Sequence, residues 1–251
     1  YFGCMWVTDP ATGKVRRLSY SMKDPEFEKI YRQFLTAAWE NARRNNWTKY
    51  AYHYIWDESS GDAWNRLHLL SKKFVPELKN LAVGYDLKKM DETVRDAVDI
   101  YVPLSSRFDR KFTEERVAKG DEMWAYVCVV PKDRYNLFID HEAFSHRALL
   151  WWFRDRDLSG LLYWGVCVWD RASQAKNEGR VWPDAVWEAN QFPDGNGDGF
   201  LLYPDLKKRE IYGSLRLAVL RDGLEDMEYF LLLNGQIAQA KNSSSDLDRA
   251  W

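Results

Sequence analysis

The chain has no long apolar run and no excess of charge of one sign. No apolar segment approaches the roughly 20 residues that span a bilayer, and the first residues lack the basic, apolar and small-residue regions of a signal peptide. The 36 Lys and Arg residues are balanced by 38 Asp and Glu residues and are not clustered, so no basic surface is expected for a phosphate backbone. We therefore expect a soluble protein without a membrane span that does not bind nucleic acid.

Patterns typical of disulfides and metal sites are also lacking. The three cysteines, Cys4, Cys128 and Cys167, lie far apart in apolar segments, which predicts buried free thiols. The four histidines include no HExxH motif, and His141 and His146 are five residues apart rather than one helical turn. The sequence thus predicts no metal site and no cofactor.

Aromatic residues are abundant, at 16% of the 251 residues with 13 Trp. Aromatic rings stack on the apolar faces of sugars, although Trp also fills large protein cores.

Residues 24–47 repeat apolar positions at helical spacing after an Asp-Pro start signal. Five short segments rich in β-branched and aromatic residues are predicted strands, at 49–56, 78–84, 97–102, 123–130 and 160–169.

The helical stretches between these strands, such as 61–74 and 87–96, predict parallel strands with right-handed crossovers. An open doubly wound sheet fits the strand count, but WDESSGDAW follows the first strand where a Gly-rich phosphate loop would be expected. We therefore predict an α/β fold of the (β/α)8 TIM-barrel type that is incomplete at its N-terminus. Residues 1–251 would form the C-terminal portion of the barrel domain, with a long loop at about 170–212.

Barrels of this type carry their chemistry at the C-terminal ends of the strands. The dipeptide Asp-Glu occurs three times, but only Asp57-Glu58 follows a predicted strand, since Asp91-Glu92 lies in a helical stretch and Asp121-Glu122 precedes a strand. Neighbouring side chains of a regular strand point to opposite faces, so the chain must bend for both acids to reach the mouth. A solvated acidic loop is the alternative interpretation.

Five aromatic residues on or near the predicted strands are candidates for a sugar platform at the mouth. They are Tyr101, Trp124, Tyr126, Trp164 and Trp169, of which Trp124, Tyr126 and Trp164 are preferred. The others would then belong to the ordinary core.

Several motifs resemble glycoside hydrolase family 123 and its related barrel domains of unassigned function. They are Trp56-Asp57-Glu58, GLLYWGVCVW at 160–169 after Arg147 and Trp151, Gly197-Asp198-Gly199 with Tyr203-Pro204, and SLRLAVLRDGLEDMEYF at 214–230. The last motif is the most specific, because such a run is improbable by chance.

The resemblance implies a β-N-acetylgalactosaminidase that retains anomeric configuration by substrate assistance, in which the 2-acetamido oxygen attacks the anomeric carbon. Glu58 would then be the general acid and base, and Asp57 would orient and stabilise the acetamido N–H. The resemblance also implies a β-linked GalNAc-containing glycan as substrate and a secreted or periplasmic location. The family's N-terminal β-sandwich and early barrel strands would lie outside this chain.

The charged residues of the last motif lie on the predicted helix 213–233, which favours an ion-pair network that fixes this helix. They are Arg216, Arg221, Asp222, Glu225 and Asp226. Asp198 resembles a ligand of a calcium loop, but DGNGDG lacks the twelve-residue ligand pattern, which favours a turn.

Two other functions stay open at the level of sequence. One is a glycosidase for a neutral sugar that pairs Glu58 with a nucleophile such as Asp140 or Asp170. The other is a carbohydrate-binding barrel that does not turn over its ligand. Substrates with and without the 2-acetamido group separate the two enzymes, and binding without hydrolysis identifies the binding barrel.

Overall fold

The computed structural model describes residues 4–8, 11–19, 25–58, 61–133, 135–169, 188–192 and 195–242. The chain divides into two compact units, Tyr1–Trp124 and Ala125–Trp251. No helix in these described ranges is long and apolar enough to cross a membrane. Within the same ranges, no group of three or more His, Cys, Asp or Glu side chains could hold a metal ion.

The first unit alternates helices with parallel strands after an N-terminal hairpin. Its elements are β1 (Cys4–Thr8), β2 (Val15–Ser19), α1 (Pro25–Arg44), β3 (Tyr52–Tyr54), α2 (Asp62–Phe74), β4 (Lys79–Gly84), α3 (Glu92–Arg95), β5 (Ile100–Pro103), α4 (Arg110–Ala118) and β6 (Glu122–Val127), which ends in the second unit. Short 3-10 helices occupy Thr48–Tyr50, Leu87–Lys89 and Ser105–Arg107. Strands β1 and β2 pair antiparallel, with Trp6 opposite Arg17.

Helix α1 shows how the sequence specifies this unit. Its first turn carries Glu26 and Glu28 and its last turn carries Arg43 and Arg44, so both ends complement the helix dipole. Apolar side chains recur at nearly every fourth residue and are buried, namely Phe27, Tyr31, Leu35, Trp39 and Ala42. This single apolar stripe packs α1 onto the unit.

The central sheet has the strand order β3-β4-β5-β6-β7, where β7 is Gly160–Tyr163. Its first four strands pair in parallel, with Tyr52 opposite Lys79, Leu81 opposite Ile100 and Ile100 opposite Glu122. Because side chains alternate along each strand, this register defines two faces. Tyr52 and Tyr54 share one face with Trp124, whereas His53, Asn80 and Tyr101 share the other.

The contacts of the first face show that the sheet is curled. A flat sheet would separate β3 and β6 by about 14 Å, three times the spacing of neighbouring strands. The ring centroids of Tyr52 and Trp124 are nevertheless only 5.5 Å apart, and Lys79 of β4 reaches Glu122 of β6 with an Nζ to Oε1 distance of 2.5 Å. The face that carries these residues is therefore concave, as in part of a barrel. The alternating helices and parallel strands confirm the predicted α/β class. A closed eight-stranded barrel does not occur among the described residues, and the curled sheet is consistent with the incomplete barrel that the sequence predicts.

The second unit contains α5 (Ala143–Asp155), β7, the antiparallel pair β8 (Leu202–Asp205) and β9 (Glu210–Gly213), and α6 (Leu215–Asn242). Arg147 of α5 donates to both carboxylate oxygens of Asp226 on α6, and the indole Nε1 of Trp151 donates to Asp226 Oδ2 at 2.7 Å. The hydrogen bond from Arg147 lowers the pKa of Asp226 to about 2. This pair is the ion-pair contact that the last motif predicts.

The predicted network does not extend along the rest of α6. The side chain of Arg221 is 71% exposed, and the carboxylates it meets in the described part of the chain are Asp222 and Glu225 of its own helix, at 3.2 and 3.7 Å. Exposed pairs of this kind contribute less than about 1 kcal/mol. The thiols also differ from expectation, since Cys128 and Cys167 are free but Cys128 is only half-buried and Cys167 is exposed. The side chain of Cys4 lies outside the described residues.

Two histidines, His53 and His68, lie on the helix-covered face of the sheet. His68 of α2 is fully buried with its ring edge against Trp64, and His53 Nδ1 of β3 lies 3.3 Å from Ser71 Oγ. Burial lowers the pKa of His53 to about 4 and that of His68 to about 3. Both rings are therefore neutral in the folded protein at neutral pH.

This pair predicts acid-sensitive stability. An unfolded histidine has a pKa near 6.5, so the unfolded chain binds more protons than the folded one between about pH 6.5 and pH 4, and stability falls as the pH falls through this window. Urea midpoints measured between pH 7 and pH 4 should show this loss. The slope should be shallower in His68→Leu, because the buried ring that gains a proton on unfolding is absent from this variant. Equal slopes in the variant and the wild type would contradict the assignment.

Candidate active site

The chain leaves β3 through a short acidic segment at the carboxyl end of the strand. Tyr54 is the last residue of β3, and its hydroxyl donates to Asp57 Oδ1 at 2.5 Å. Burial and this hydrogen bond raise the pKa of Tyr54, so the phenol keeps its proton and acts as the donor. Asp57 is exposed and is held by one carboxylate oxygen.

Glu58 adopts the left-handed backbone region, with φ at 43°. A residue other than Gly rarely occupies this region, and such conformations are concentrated at functional sites. The turn breaks the alternation of the strand, so the side chain of Glu58 no longer points opposite to that of Asp57 by necessity. This is the kind of bend that two adjacent acids need at the mouth.

Glu58 lines a cavity of about 640 Å³ at the carboxyl ends of β3 and β4. The other lining residues are Gly61, Trp64, Asn65, Gly84, Tyr85, Asp86, Leu87, Lys89, Met90 and Asp91. Asp57 is not among them. The cavity therefore lies on the side of the acidic segment to which Glu58 alone contributes.

Tyr85 and Arg107 also lie near the ends of these strands, and neither was predicted from the sequence. Tyr85 directly follows β4 and is 51% exposed, and the guanidinium carbon of Arg107 lies 5.4 Å from its ring centroid. The rule that selected Asp57, a functional side chain just beyond a strand, would also have found Tyr85 after the predicted strand 78–84. The aromatic side chain directly after a predicted strand is the sequence feature that could have identified Tyr85 as a candidate.

The other two Asp-Glu pairs have structural roles. The carboxylate of Asp91 accepts from the backbone N–H of Thr93 and caps α3, as the sequence suggests for an acid at a helix start. Asp121 precedes β6 and pairs with the buried Arg116 at 2.6 Å. Only Asp57-Glu58 combines exposure with a position beyond the end of a strand.

The aromatic candidates of the first unit are not grouped around the acids. Tyr101 is fully buried on the helix-covered face, where its hydroxyl donates to Arg95 O at 2.8 Å and its ring packs on Phe112. Trp124 is half-buried near the start of β6, with its ring against Tyr52 at the start of β3, toward the end of the sheet opposite to Asp57. These contacts are typical of packing.

The remaining aromatic candidates belong to the second unit. Tyr126 is 3% exposed, whereas Trp164 and Trp169 are half-buried. The indole Nε1 of Trp169 donates to Leu202 O at 2.8 Å. Only Trp164 and Trp169 of this group therefore keep part of their rings accessible.

A buried carboxyl group fixes Trp164. Asp198 is fully buried, and its Oδ1 accepts from Trp164 Nε1 at 3.0 Å and from the hydroxyl of Tyr163 at 3.1 Å. Burial raises the pKa of Asp198. Gly199 follows with φ at 81°, and a Cβ atom there would lie 2.3 Å from the indole of Trp164. Asp198 thus belongs to a turn that orients Trp164, which agrees with the turn predicted for this motif.

Arg216 anchors this turn to the start of α6. Its guanidinium is buried and donates to the backbone carbonyls of Leu137, Gly197 and Phe200. Gly197 has φ at 81°, and a Cβ atom there would lie 2.6 Å from Arg216 Nη1. Arg216 is therefore bound to carbonyl oxygens, and not to the carboxylates that the sequence suggested.

Comparisons with known proteins place these residues in a family. The family model described as the catalytic domain of glycoside hydrolase 123 matches residues 4–233. No curated protein matches the chain. A solved family 123 glycoside hydrolase from Clostridium perfringens, studied for glycolipid glycan hydrolysis, has a TM-score of 0.71 and 17% identity, and the match covers 99% of this chain and 46% of that chain.

The chain thus spans about half the length of the solved enzyme that it matches, and at this identity the likeness shows the fold alone. The family model, in contrast, covers nearly the whole chain, including the acidic segment after β3 and the motif on α6. The chain belongs to glycoside hydrolase family 123.

Proposed function

We propose that this chain carries the reaction centre of a retaining exo-β-N-acetylgalactosaminidase, with Glu58 as general acid and base and Asp57 as the partner of the substrate's acetamido group. Membership of the family makes the chain a glycoside hydrolase that acts on carbohydrate. The proposal of this substrate and mechanism is supported by the different surroundings of Asp57 and Glu58. Asp57 is held by Tyr54, whereas Glu58 turns into a cavity that Asp57 does not line.

Adjacent acids fit a substrate-assisted reaction better than a two-carboxylate one. An enzyme nucleophile must lie about 5 to 5.5 Å from the acid and across the scissile bond from it, which normally requires two different strands. When the 2-acetamido oxygen of the substrate attacks the anomeric carbon, no such residue is needed. Two acids that reach different groups of the same sugar then suffice.

The proposed reaction proceeds in two steps. Glu58 donates its proton to the glycosidic oxygen while the acetamido oxygen attacks the anomeric carbon, and Asp57 accepts a hydrogen bond from the acetamido N–H as positive charge develops there. Glu58, now a carboxylate, takes a proton from the water that opens the oxazolinium ring. Two inversions at one carbon give retention of configuration.

Of the aromatic residues that the sequence suggested for sugar binding, we retain Trp164 and Trp169, which are half-buried. Trp124 is buried to a similar degree, but its ring packs on Tyr52 at the end of the sheet opposite to Asp57. The neutral-sugar rival required a nucleophile such as Asp140 or Asp170. Asp140 accepts a hydrogen bond from Asn196 at 3.2 Å, and Asp170 lies outside the described residues. The substrate comparison below tests this rival directly.

The decisive experiment couples Asp57 to the acetamido group. On β-GalNAc with a nitrophenyl leaving group, Asp57→Ala should lower kcat by about 10², since one charge-stabilising contact in the transition state is lost. On β-Gal with the same leaving group, the wild type should have little activity and Asp57→Ala should reduce it little further. This non-additive pattern shows that Asp57 acts on the acetamido group.

Three outcomes would decide against the proposal. Equal hydrolysis of β-Gal and β-GalNAc would favour the neutral-sugar glycosidase, as would a covalent adduct trapped on a carboxylate by an activated fluorosugar. Binding of either sugar without hydrolysis would favour the carbohydrate-binding barrel. A thiazoline that mimics the oxazoline intermediate should bind the wild type tightly and Asp57→Ala far more weakly.

A further inference from the structure

The hydroxyl of Tyr54 donates a hydrogen bond to the carboxylate of Asp57 and is its only such donor in the described part of the chain. The reaction proposed above uses Asp57 and Glu58 and gives Tyr54 no part. We propose that Tyr54 is a positioning residue, which fixes the carboxylate of Asp57 so that its second oxygen, Oδ2, meets the acetamido N–H of the substrate. This inference rests on the proposed function and deepens it.

The contact between Tyr54 and Asp57 depends on the turn at the end of β3. Residues three apart on a straight strand are separated by about 10 Å between Cα atoms, and their side chains point to opposite faces. The Tyr54 hydroxyl nevertheless lies 2.5 Å from Asp57 Oδ1, so the chain must leave the strand geometry directly after Tyr54. Ile55 is 5% exposed and anchors the segment at this point. The fold itself therefore brings the phenol and the carboxylate together.

The proton of this contact belongs to Tyr54. Burial raises the pKa of the Tyr54 phenol, and the hydrogen bond to Asp57 raises it further. The phenol therefore donates, and the carboxylate of Asp57 accepts. A hydrogen bond to an ionised carboxylate is roughly twice as strong as one between neutral groups, so this contact can hold the Asp57 side chain in one orientation.

A fixed orientation of Asp57 serves the acetamido group. Asp57 is exposed, so its carboxylate would rotate in solvent if Tyr54 did not hold it. Tyr54 occupies Oδ1 and leaves Oδ2 for a donor from the substrate, since an ionised carboxylate accepts several hydrogen bonds. An acceptor that is already oriented costs less ordering entropy when charge develops in the transition state. Tyr54 therefore acts through Asp57 and touches no reacting atom.

The test is a double-mutant cycle on nitrophenyl β-GalNAc. Tyr54→Phe removes only the hydroxyl and should lower kcat about tenfold, the effect of one hydrogen bond, while KM stays within about threefold of wild type. In the Asp57→Ala background the same change should alter kcat by less than about twofold, because the carboxylate that Tyr54 orients is absent. A general loss of stability would instead lower the activity of both backgrounds alike.

Tyr52→Phe is the matched control. Tyr52 lies two residues earlier on the same face of β3, is 46% exposed against 41% for Tyr54, and packs its ring on Trp124. This variant should keep kcat within about twofold of wild type, as is usual for a surface change away from a site. Similar urea midpoints for Tyr52→Phe and Tyr54→Phe would show that the difference in kcat does not come from stability.

The oxazoline-mimicking thiazoline gives a second readout that needs no turnover. Tyr54→Phe should bind it about tenfold more weakly than wild type and Tyr52→Phe do, and adding Tyr54→Phe to Asp57→Ala should cause no further loss. A kcat of Tyr54→Phe within about twofold of wild type would overturn the assignment. Equal losses in the wild-type and Asp57→Ala backgrounds would overturn it as well, since Tyr54 would then not act through Asp57.

Failure of the proposed function gives a different result, because the wild type then does not hydrolyse nitrophenyl β-GalNAc. Calorimetric titration with GalNAc decides the role of Tyr54 in that case. Binding that is about tenfold weaker in Tyr54→Phe than in wild type and Tyr52→Phe, with no further loss in the Asp57→Ala background, supports positioning of Asp57. Equal or absent binding in wild type and Tyr54→Phe overturns it.

Discussion

Glu58→Gln is expected to lower kcat on a β-GalNAc disaccharide by about 10² to 10⁴, the usual contribution of a general acid, while the fold is retained. The amide keeps the size and the left-handed backbone of Glu58 but cannot donate a proton to the departing oxygen. A nitrophenolate leaves without that proton. The loss on nitrophenyl β-GalNAc should therefore be much smaller than the loss on the disaccharide.

The chain offers a matched control for this substitution. Glu92 is also the second acid of an Asp-Glu pair, but it lies on α3 and its side chain is 87% exposed. Glu92→Gln should leave kcat on both substrates within about twofold of wild type, because surface changes away from a site have small effects. If Glu58→Gln retains activity within threefold on the disaccharide, Glu58 is not the acid.

The position of Asp57 and Glu58 beyond β3 could be predicted, because it does not depend on the exact residue at which β3 ends. Asp57 and Glu58 follow β3 whether the strand ends at Tyr54, as observed, or at residue 56, as the pattern 49–56 predicts. The strands 78–84, 97–102 and 123–130 likewise correspond to β4, β5 and β6 with ends shifted by a few residues. Errors of this size do not move a residue away from the mouth.

The orientation of the aromatic side chains could not be predicted in the same way. Every residue of β5 is buried, so the strand has no polar alternation to show which face carries Tyr101. A shift of one residue in register would reverse the assignment. Tyr101 turned out to face α4, where Phe112 lies.

The hydrogen-bond partners of Arg216 could not be predicted from the sequence, for a different reason. Its charge and its acidic neighbours on the helix suggested ion pairs, yet its partners are backbone carbonyls of residues up to 79 positions away along the chain. Every residue has a backbone carbonyl, so the sequence of side chains does not show which carbonyl accepts a hydrogen bond. Arg147 and Asp226 could be paired more readily, because both partners carry charge.

Arg216→Ala is expected to lower the free energy of unfolding by about 3 to 5 kcal/mol. The substitution removes a buried charge-assisted donor from the carbonyls of Leu137, Gly197 and Phe200 and leaves them without that partner in the interior. Because domains of this size have total stabilities of roughly 5 to 15 kcal/mol, the midpoint of urea unfolding should fall markedly. Arg216→Lys keeps the charge but not the planar fork, so it should lie between Ala and wild type.

Arg221→Ala is the control on the same helix, with a side chain that is 71% exposed and an expected cost below about 1 kcal/mol. A second readout connects Arg216 to Trp164, since the turn that Arg216 anchors also carries Asp198, whose carboxyl binds the indole. Arg216→Lys should therefore change the near-UV circular dichroism of the folded protein, whereas Arg221→Ala should not. Equal urea midpoints for the Arg216 and Arg221 variants would mean that these carbonyl contacts contribute little to stability, and the turn would then need another anchor.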